Sequence, residues 1–373
     1  MMITALLLSS LIAKSQLKDV VITLKNESSL AYVNKVVEIP WSSVSNNLKI
    51  DTAKMVVKDL QTGTQVPFQL EKKGTSEVVN LLVEVSLEAN QQKSLSISEG
   101  KKAPVSPKVF GRYVPERKDD FAWENDKIAF RMYGKALEAT PKENAYGIDV
   151  WVKRTDSLII NKRYRLGKYH VDQGDGMDYY HVGYTLGAGN MMPYLNDTIY
   201  YSKNYVDYKV LDNGPLRFSF QLIYDVWDVA GKKISATKTI SLDAGSWLNK
   251  ITVDYDGNND TALNVVAGII TRKQAGLKFL DEQNGIMAYW EPTEGAKGTT
   301  GVACILTSPV SQMIEEGGQL LAKTVTNSEG TISYYQGATW DRQGTFKNSE
   351  QWISYLKTFK KSLEQPISVV VNK

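Results

Sequence analysis

Cysteine, histidine and charge of one sign are what this sequence has least of. A single cysteine among 373 residues excludes an internal disulfide, and Cys304, inside the apolar run VACILTS, reads as a core thiol. The two histidines, His170 and His181, cannot with one thiol build the usual closed zinc site unless carboxylates help. Lys and Arg number 44 against 41 Asp and Glu, with no basic block, so nucleic-acid binding lacks its electrostatic footprint. There is no Walker lysine, HExxH pair, CxxC or GxSxG elbow. GAGN at 187–190 is followed by Pro193 and not by an amphipathic helix, which argues against a dinucleotide.

Long apolar runs are missing too. The run from Ile3 to Ala13 is too short to span a membrane, and no later run reaches spanning length. Small residues at Ala13 and Ser15 suit cleavage near Gln16, so residues 1–16 are expected to be a signal peptide, although its positive n-region is absent. The expectation is a periplasmic or secreted protein without a membrane span.

What is present is strand signal. VVITLKN, AYVNKVVEIPW, AKMVVKDL, VPFQLEKK and EVVNLLVEVSL are short β runs separated by turn residues. SISEGKKAPVSPK, with Gly100, Pro104 and Pro107, marks a boundary between an N-terminal β-sandwich segment (17–105) and a larger unit (106–373). Beyond it, Ile128, Phe130 and Met132 share one face and Arg131 and Tyr133 the other. Ile148, Val150 and Val152 likewise oppose Asp149, Trp151 and Lys153. LRFSFQLIYDVWD alternates Leu216, Phe218, Phe220, Leu222, Tyr224 and Val226 on one face, then turns at VAGKK into ISATKTISL, a hairpin signal. Such alternation predicts antiparallel sheets with one covered face. A single helix is predicted in SEQWISYLKTFKKSL, where Trp352, Tyr355, Leu356, Phe359 and Leu363 recur at helical spacing. The fold class is all-β, an antiparallel sandwich or supersandwich with one short helix in the C-terminal region.

Three constellations stand out. YHVDQGDGMDYYH (169–181) holds both histidines, and Asp172, Asp175 and Asp178 recur every three residues. That spacing departs from the calcium-loop pattern, leaving either a divalent cation or a solvated Asp/Gly turn. RYVPERKDDFAWENDK (112–127) gathers Arg112, Arg117 and Lys118 with Asp119, Asp120, Glu124 and Asp126 around Trp123. A charge run of this kind is ordinarily a solvated face, but it lies just before a well-patterned strand, where loops carry function. GATWDRQGTF (337–346) puts Trp340, Asp341 and Arg342 in a glycine-bounded loop. RKQ after NVVAGIIT places Arg272 at a sheet rim. Eight Trp and 20 Tyr supply flat faces that suit sugar rings, as they equally suit β cores.

The run from RKDDFAWENDKIAFRMYG through GIDVWVKR, YHVDQGDGMDYYHVGYTLGAGN, VLDNGPLR and GATWDRQGTF resembles domain-of-unknown-function family 4861, from about Val20 to the C-terminus. Five separated motifs keep their order. The resemblance implies a secreted or periplasmic protein of polysaccharide-utilisation loci and a galactose-mutarotase-like supersandwich. It also implies an activity, dehydration of a non-reducing-end uronic acid on oligosaccharides such as ulvan fragments. The family motif has His at the position of His170 and often Lys at that of His181.

Elimination across C4–C5 of a uronate needs a base for the C5 proton, an acid for the departing C4 oxygen and cations on the carboxylate. On that implied chemistry His170 is the candidate base or acid and Tyr179 or Tyr180 its counterpart, with Asp172 orienting the imidazole. Arg117 and Arg272 would neutralise the carboxylate. Trp123 and Trp340 would stack on sugar, with Arg112, Asp341 and His181 as further substrate contacts. No cofactor is required. The alternatives are a polysaccharide lyase, which shortens the chain, a non-catalytic glycan-binding protein, and, by fold analogy alone, an epimerase or mutarotase.

Overall fold

A computed structural model describes residues 20–46, 48, 50–257 and 261–372; the expected signal peptide lies outside them. The protein is an all-β sandwich built from antiparallel sheets. Its first unit packs a four-stranded sheet (Ser368–Asn372, Val20–Lys25, Gln92–Glu99, Met55–Asp59) on a three-stranded one (Tyr32–Pro40, Asn80–Leu87, Phe68–Glu71). Alternating Val20, Ile22 and Leu24 meet Leu81, Val83 and Val85 in its core. The last strand completes this sheet, Leu24 pairing with Val369. A boundary at 105/106 therefore separates the two units except for residues 368–372, which return to the first.

The larger unit is an eight-stranded sheet, running from Asp207–Asn213 at one edge to Leu277–Asp281 at the other, under two five-stranded sheets. A parallel bridge, Ile148 to Gly187, links the five-stranded pair. One core joins all three, with Phe121, Phe130 and Val150 from one upper sheet, Val265 and Leu320 from the other, and Phe218, Ile240 and Val302 from below. Alternation was a sound guide to that core. Leu216, Phe218, Phe220, Leu222 and Tyr224 are all buried, but Val226 is exposed because a bulge shifts the register between Tyr224 and Trp227. The VAGKK turn is the hairpin expected, Ala230 and Gly231 both having positive φ.

The helix Ser349–Glu364 buries Trp352 and Leu356 against the outer face of the eight-stranded sheet, and Asn348 caps its N-terminus by accepting from the Gln351 amide. Two shorter helices, Trp41–Ser45 and Ile160–Leu166, were not anticipated. None of the helices among the described residues is long and apolar enough to cross a membrane. Cys304 is buried, and burial pushes its thiol up.

Candidate active site

The strands Asp120–Asn125, Ala129–Met132 and Asp149–Lys153 are buried on both faces, contrary to the expectation of one covered face. Their apolar side enters the core. Their other side carries Asp120, Glu124, Arg131, Asp149 and Lys153, and chain 154–178 lies over it as a cover. Within the charge run at 112–127, Asp120, Glu124 and Asp126 are interior, whereas Arg112, Arg117, Lys118 and Asp119 stay partly exposed. Lys153 pairs with Glu124 at 2.7 Å with neither side chain exposed, and the same carboxylate accepts the amides of Ile159 (2.9 Å) and Ile160 (2.8 Å). A buried charge survives only when paired and hydrogen-bonded, and here it starts the covering helix.

The 169–181 stretch closes the cover. Asp172 accepts from the amides of Gly174 (2.9 Å) and Gly176 (3.0 Å) and pairs with Arg154 at 2.7 Å, so it shapes the turn instead of orienting an imidazole. Gly176 has φ +121°, and a Cβ there would overlap the Val152 carbonyl. Asp175 is bound by Lys162 and Arg163, and Asp178 by Arg131. The three aspartates offered for a divalent cation thus answer to separate basic side chains. Among the described residues no group of three or more His, Cys, Asp or Glu could hold a metal.

His170 is 68% exposed, and its Nδ1 lies 2.9 Å from the Asp178 carbonyl oxygen. A carbonyl can only accept, so Nδ1 donates, and Nε2 has no hydrogen-bond partner among the described residues. The ring also rests on Tyr169, 4.5 Å between centroids. Tyr169 accepts from Arg117 Nε at 3.1 Å, which directs its own hydroxyl proton elsewhere. Arg117 Nη1 is buried with no hydrogen-bond partner among the described residues, and its Nη2 lies 3.7 Å from the Glu143 carboxylate.

Beneath them sits a cluster that pattern reasoning missed. Arg131 is ion-paired to Asp149 (2.5 Å), Asp178 (2.9 Å) and Asp120 (3.6 Å), donates to the Tyr133 hydroxyl (3.2 Å) and lies over the Trp151 and Tyr169 rings. Burial raises Asp149 and Asp178 and pushes Asp120 up to about 6, against the pull of the guanidinium. The available signal was Arg131 and Asp149 facing away from the apolar side of two strands whose partners are wholly interior.

The other arginine serves the far end of the stretch. Arg272 follows the strand Asn264–Ile270 at the expected rim, pairs with Glu291 at 2.6 Å, donates to the His181 carbonyl at 2.6 Å and lies 4.7 Å over the Tyr180 ring. Burial pushes Glu291 up to about 7, with Arg272 opposing. His181 itself is exposed. Tyr180 is buried and donates to the Gly187 carbonyl (3.2 Å), so it is not a free acid. Tyr179 accepts from Thr300 at 2.7 Å, and burial raises its phenol. The structure therefore groups Tyr169 and Arg117 with His170, Tyr180 with Arg272, and Tyr179 with Thr300, Lys297 and Trp340.

The expected sugar walls are core. Trp123 is fully buried, donates to Asn249 (2.7 Å) and packs on Phe130 and Phe220. Trp340 is fully buried at the end of the strand Thr331–Trp340 and donates to the Lys297 carbonyl (2.8 Å). Asp341 accepts from the Thr299 amide (3.0 Å), and Arg112 pairs with Glu116 (2.5 Å); both side chains are half-buried.

A protein of Formosa agariphila named Uncharacterized protein P7 is 29% identical over 393 residues, covering 99% of this chain and 98% of its own. Among solved structures, a glycosyl hydrolase family 38 protein from Enterococcus faecalis aligns with TM-score 0.52 at 9% identity over 96% of this chain. That likeness concerns the fold alone, and the chain spans about half of that structure's length (48%). An alpha-mannosidase from Enterococcus faecalis V583 aligns more loosely, at TM-score 0.46 and 8% identity over 95% of this chain and 46% of its own. The model of the family described as domain of unknown function (DUF4861) matches residues 24–369, nearly the whole length, and the chain belongs to that family.

Proposed function

We propose that the protein is an exported dehydratase that eliminates water from a terminal uronic acid of acidic oligosaccharides, with His170 as the proton-transferring group. The observation that carries this reading is the pinned imidazole, Nδ1 committed to the Asp178 carbonyl and Nε2 unclaimed at an exposed position. Nε2 takes the C5 proton, the C4–O bond breaks as C4=C5 forms, and a hydroxyl proton completes the departing water. Tyr169 is the nearest phenol with its oxygen held by a cation and replaces Tyr179 and Tyr180 as counterpart acid. The partly exposed Arg117 guanidinium, whose Nε holds Tyr169, meets the substrate carboxylate, where charge builds as the proton leaves.

Mass spectrometry on uronate-terminated oligosaccharides tests this. The expected product is lighter by one water, keeps its chain length and absorbs as a conjugated enoate. His170→Ala is expected to slow turnover by roughly a hundredfold or more, the usual worth of a positioned proton-transfer group. Shortened chains would instead indicate a lyase, and full activity in His170→Ala would remove the assignment.

A further inference from the structure

A cavity of about 540 Å³ opens between the first sandwich, the eight-stranded sheet and the C-terminal helix, built by no residue of the 169–181 stretch. Pockets of this size at unit boundaries commonly take small ligands. Trp247, Tyr335, Tyr355 and Phe359 line it, all half-buried, with Tyr335 edge-on to Phe359 at 5.1 Å and Trp247 edge-on to Tyr355 at 5.4 Å. Its two acids, Glu38 and Asp243, are ion-paired to Arg217 at 2.6 Å each. Lys35 and Lys250 line the cavity without a carboxylate at ion-pair distance among the described residues, although Asp243 and Glu38 act on Lys35, and Lys250 on Glu38, from farther off; Lys35 rests 5.2 Å from the Phe359 ring centroid. The lining thus carries three cations against two acids.

We infer that this groove binds a short anionic saccharide, its rings on the aromatic wall and its carboxylate or sulfate between Lys35 and Lys250. Aromatic faces supply contact at little entropic cost, and the excess of cations over acids in the lining selects for negative charge. Burial lowers the Lys35 ammonium, and an arriving anion would favour its charged form again. The groove acts separately from the proposed elimination site, and the inference does not rest on that chemistry.

Hydrogen exchange on the full chain reads the two places independently. Adding digalacturonate or a sulfated lactose is expected to slow exchange at 243–250 and 355–363, with cellobiose having at least tenfold weaker effect. Lys35→Gln and Lys250→Gln are each expected to weaken apparent affinity roughly tenfold, the usual loss of one charge-assisted contact, while turnover is retained. No protection in those segments at millimolar saccharide overturns the inference, as does equal protection by cellobiose or its persistence in the double lysine variant. Protection confined to 169–181 also overturns it while favouring the elimination site. Protection confined to the groove supports it and counts against that site.

Discussion

Replacing Arg131 by Met would expose how the covered face is held together. The side chain is 4% exposed and faces Asp149, Asp178 and Asp120, so one cation already answers three acids. Burial raises all three carboxyls, with Asp120 up to about 6. Removing the guanidinium leaves buried carboxylates uncompensated, which costs about 3–5 kcal/mol in comparable sites. It also raises their folded-state pKa values further. An acid whose folded pKa exceeds its unfolded value destabilises the fold above that folded pKa, and the penalty disappears below the unfolded one. The deficit of Arg131→Met should therefore be largest near pH 8 and shrink as pH falls through 6 toward 4. Urea unfolding followed by tryptophan fluorescence at several pH values measures it. A deficit below about 1 kcal/mol at pH 8, or one independent of pH, would refute the assignment of Arg131 as the cation balancing this layer.

Glu291, raised to about 7 by burial, should contribute about 3 kcal/mol to the fall in stability as pH rises from 4.5 to 7, and Glu291→Gln should reduce the wild-type slope by about that share in the same titration, leaving the part due to Asp120, Asp149 and Asp178. Lys153→Met should cost about 3–5 kcal/mol by stranding Glu124, and adding Glu124→Gln should recover part of it, because the amide is neutral and its oxygen still accepts from one of the two amides, Ile159 or Ile160. Trp340→Phe should lose about 2 kcal/mol or more in unfolding experiments, through the missing bond to Lys297 and the vacated volume. Saccharide affinity measured on the same variant should not change, since the ring is core.

Period-two alternation was enough to place the core strands, the long hairpin and the C-terminal helix, because each pattern has one apolar side that must be covered. Alternation says nothing about what covers the other side. Asp149, Trp151 and Lys153 looked like an outward face, and only tertiary structure shows chain 154–178 folded over them. Trp123 and Trp340 failed as sugar platforms for a related reason, since an aromatic beside polar residues can satisfy its N–H on Asn249 or a carbonyl and still be interior. The rim position of Arg272 and the turn chemistry of DQGDG were legible locally. The pairing of His170 with Tyr169 and Arg117 was not, because Arg117 is distant in sequence and neighbouring tyrosines carried no distinguishing local signal.

The claim most in need of a direct test is that His170 Nε2 faces the carbon that loses its proton. A crystal of His170→Ala soaked with an intact uronate-terminated disaccharide addresses it. The terminal C5 should lie about 3–3.5 Å from the position Nε2 occupies in the wild type, with the carboxylate on Arg117. A terminal uronate seated instead against Arg272 and Glu291, or found only in the groove beside Lys35, would contradict the account.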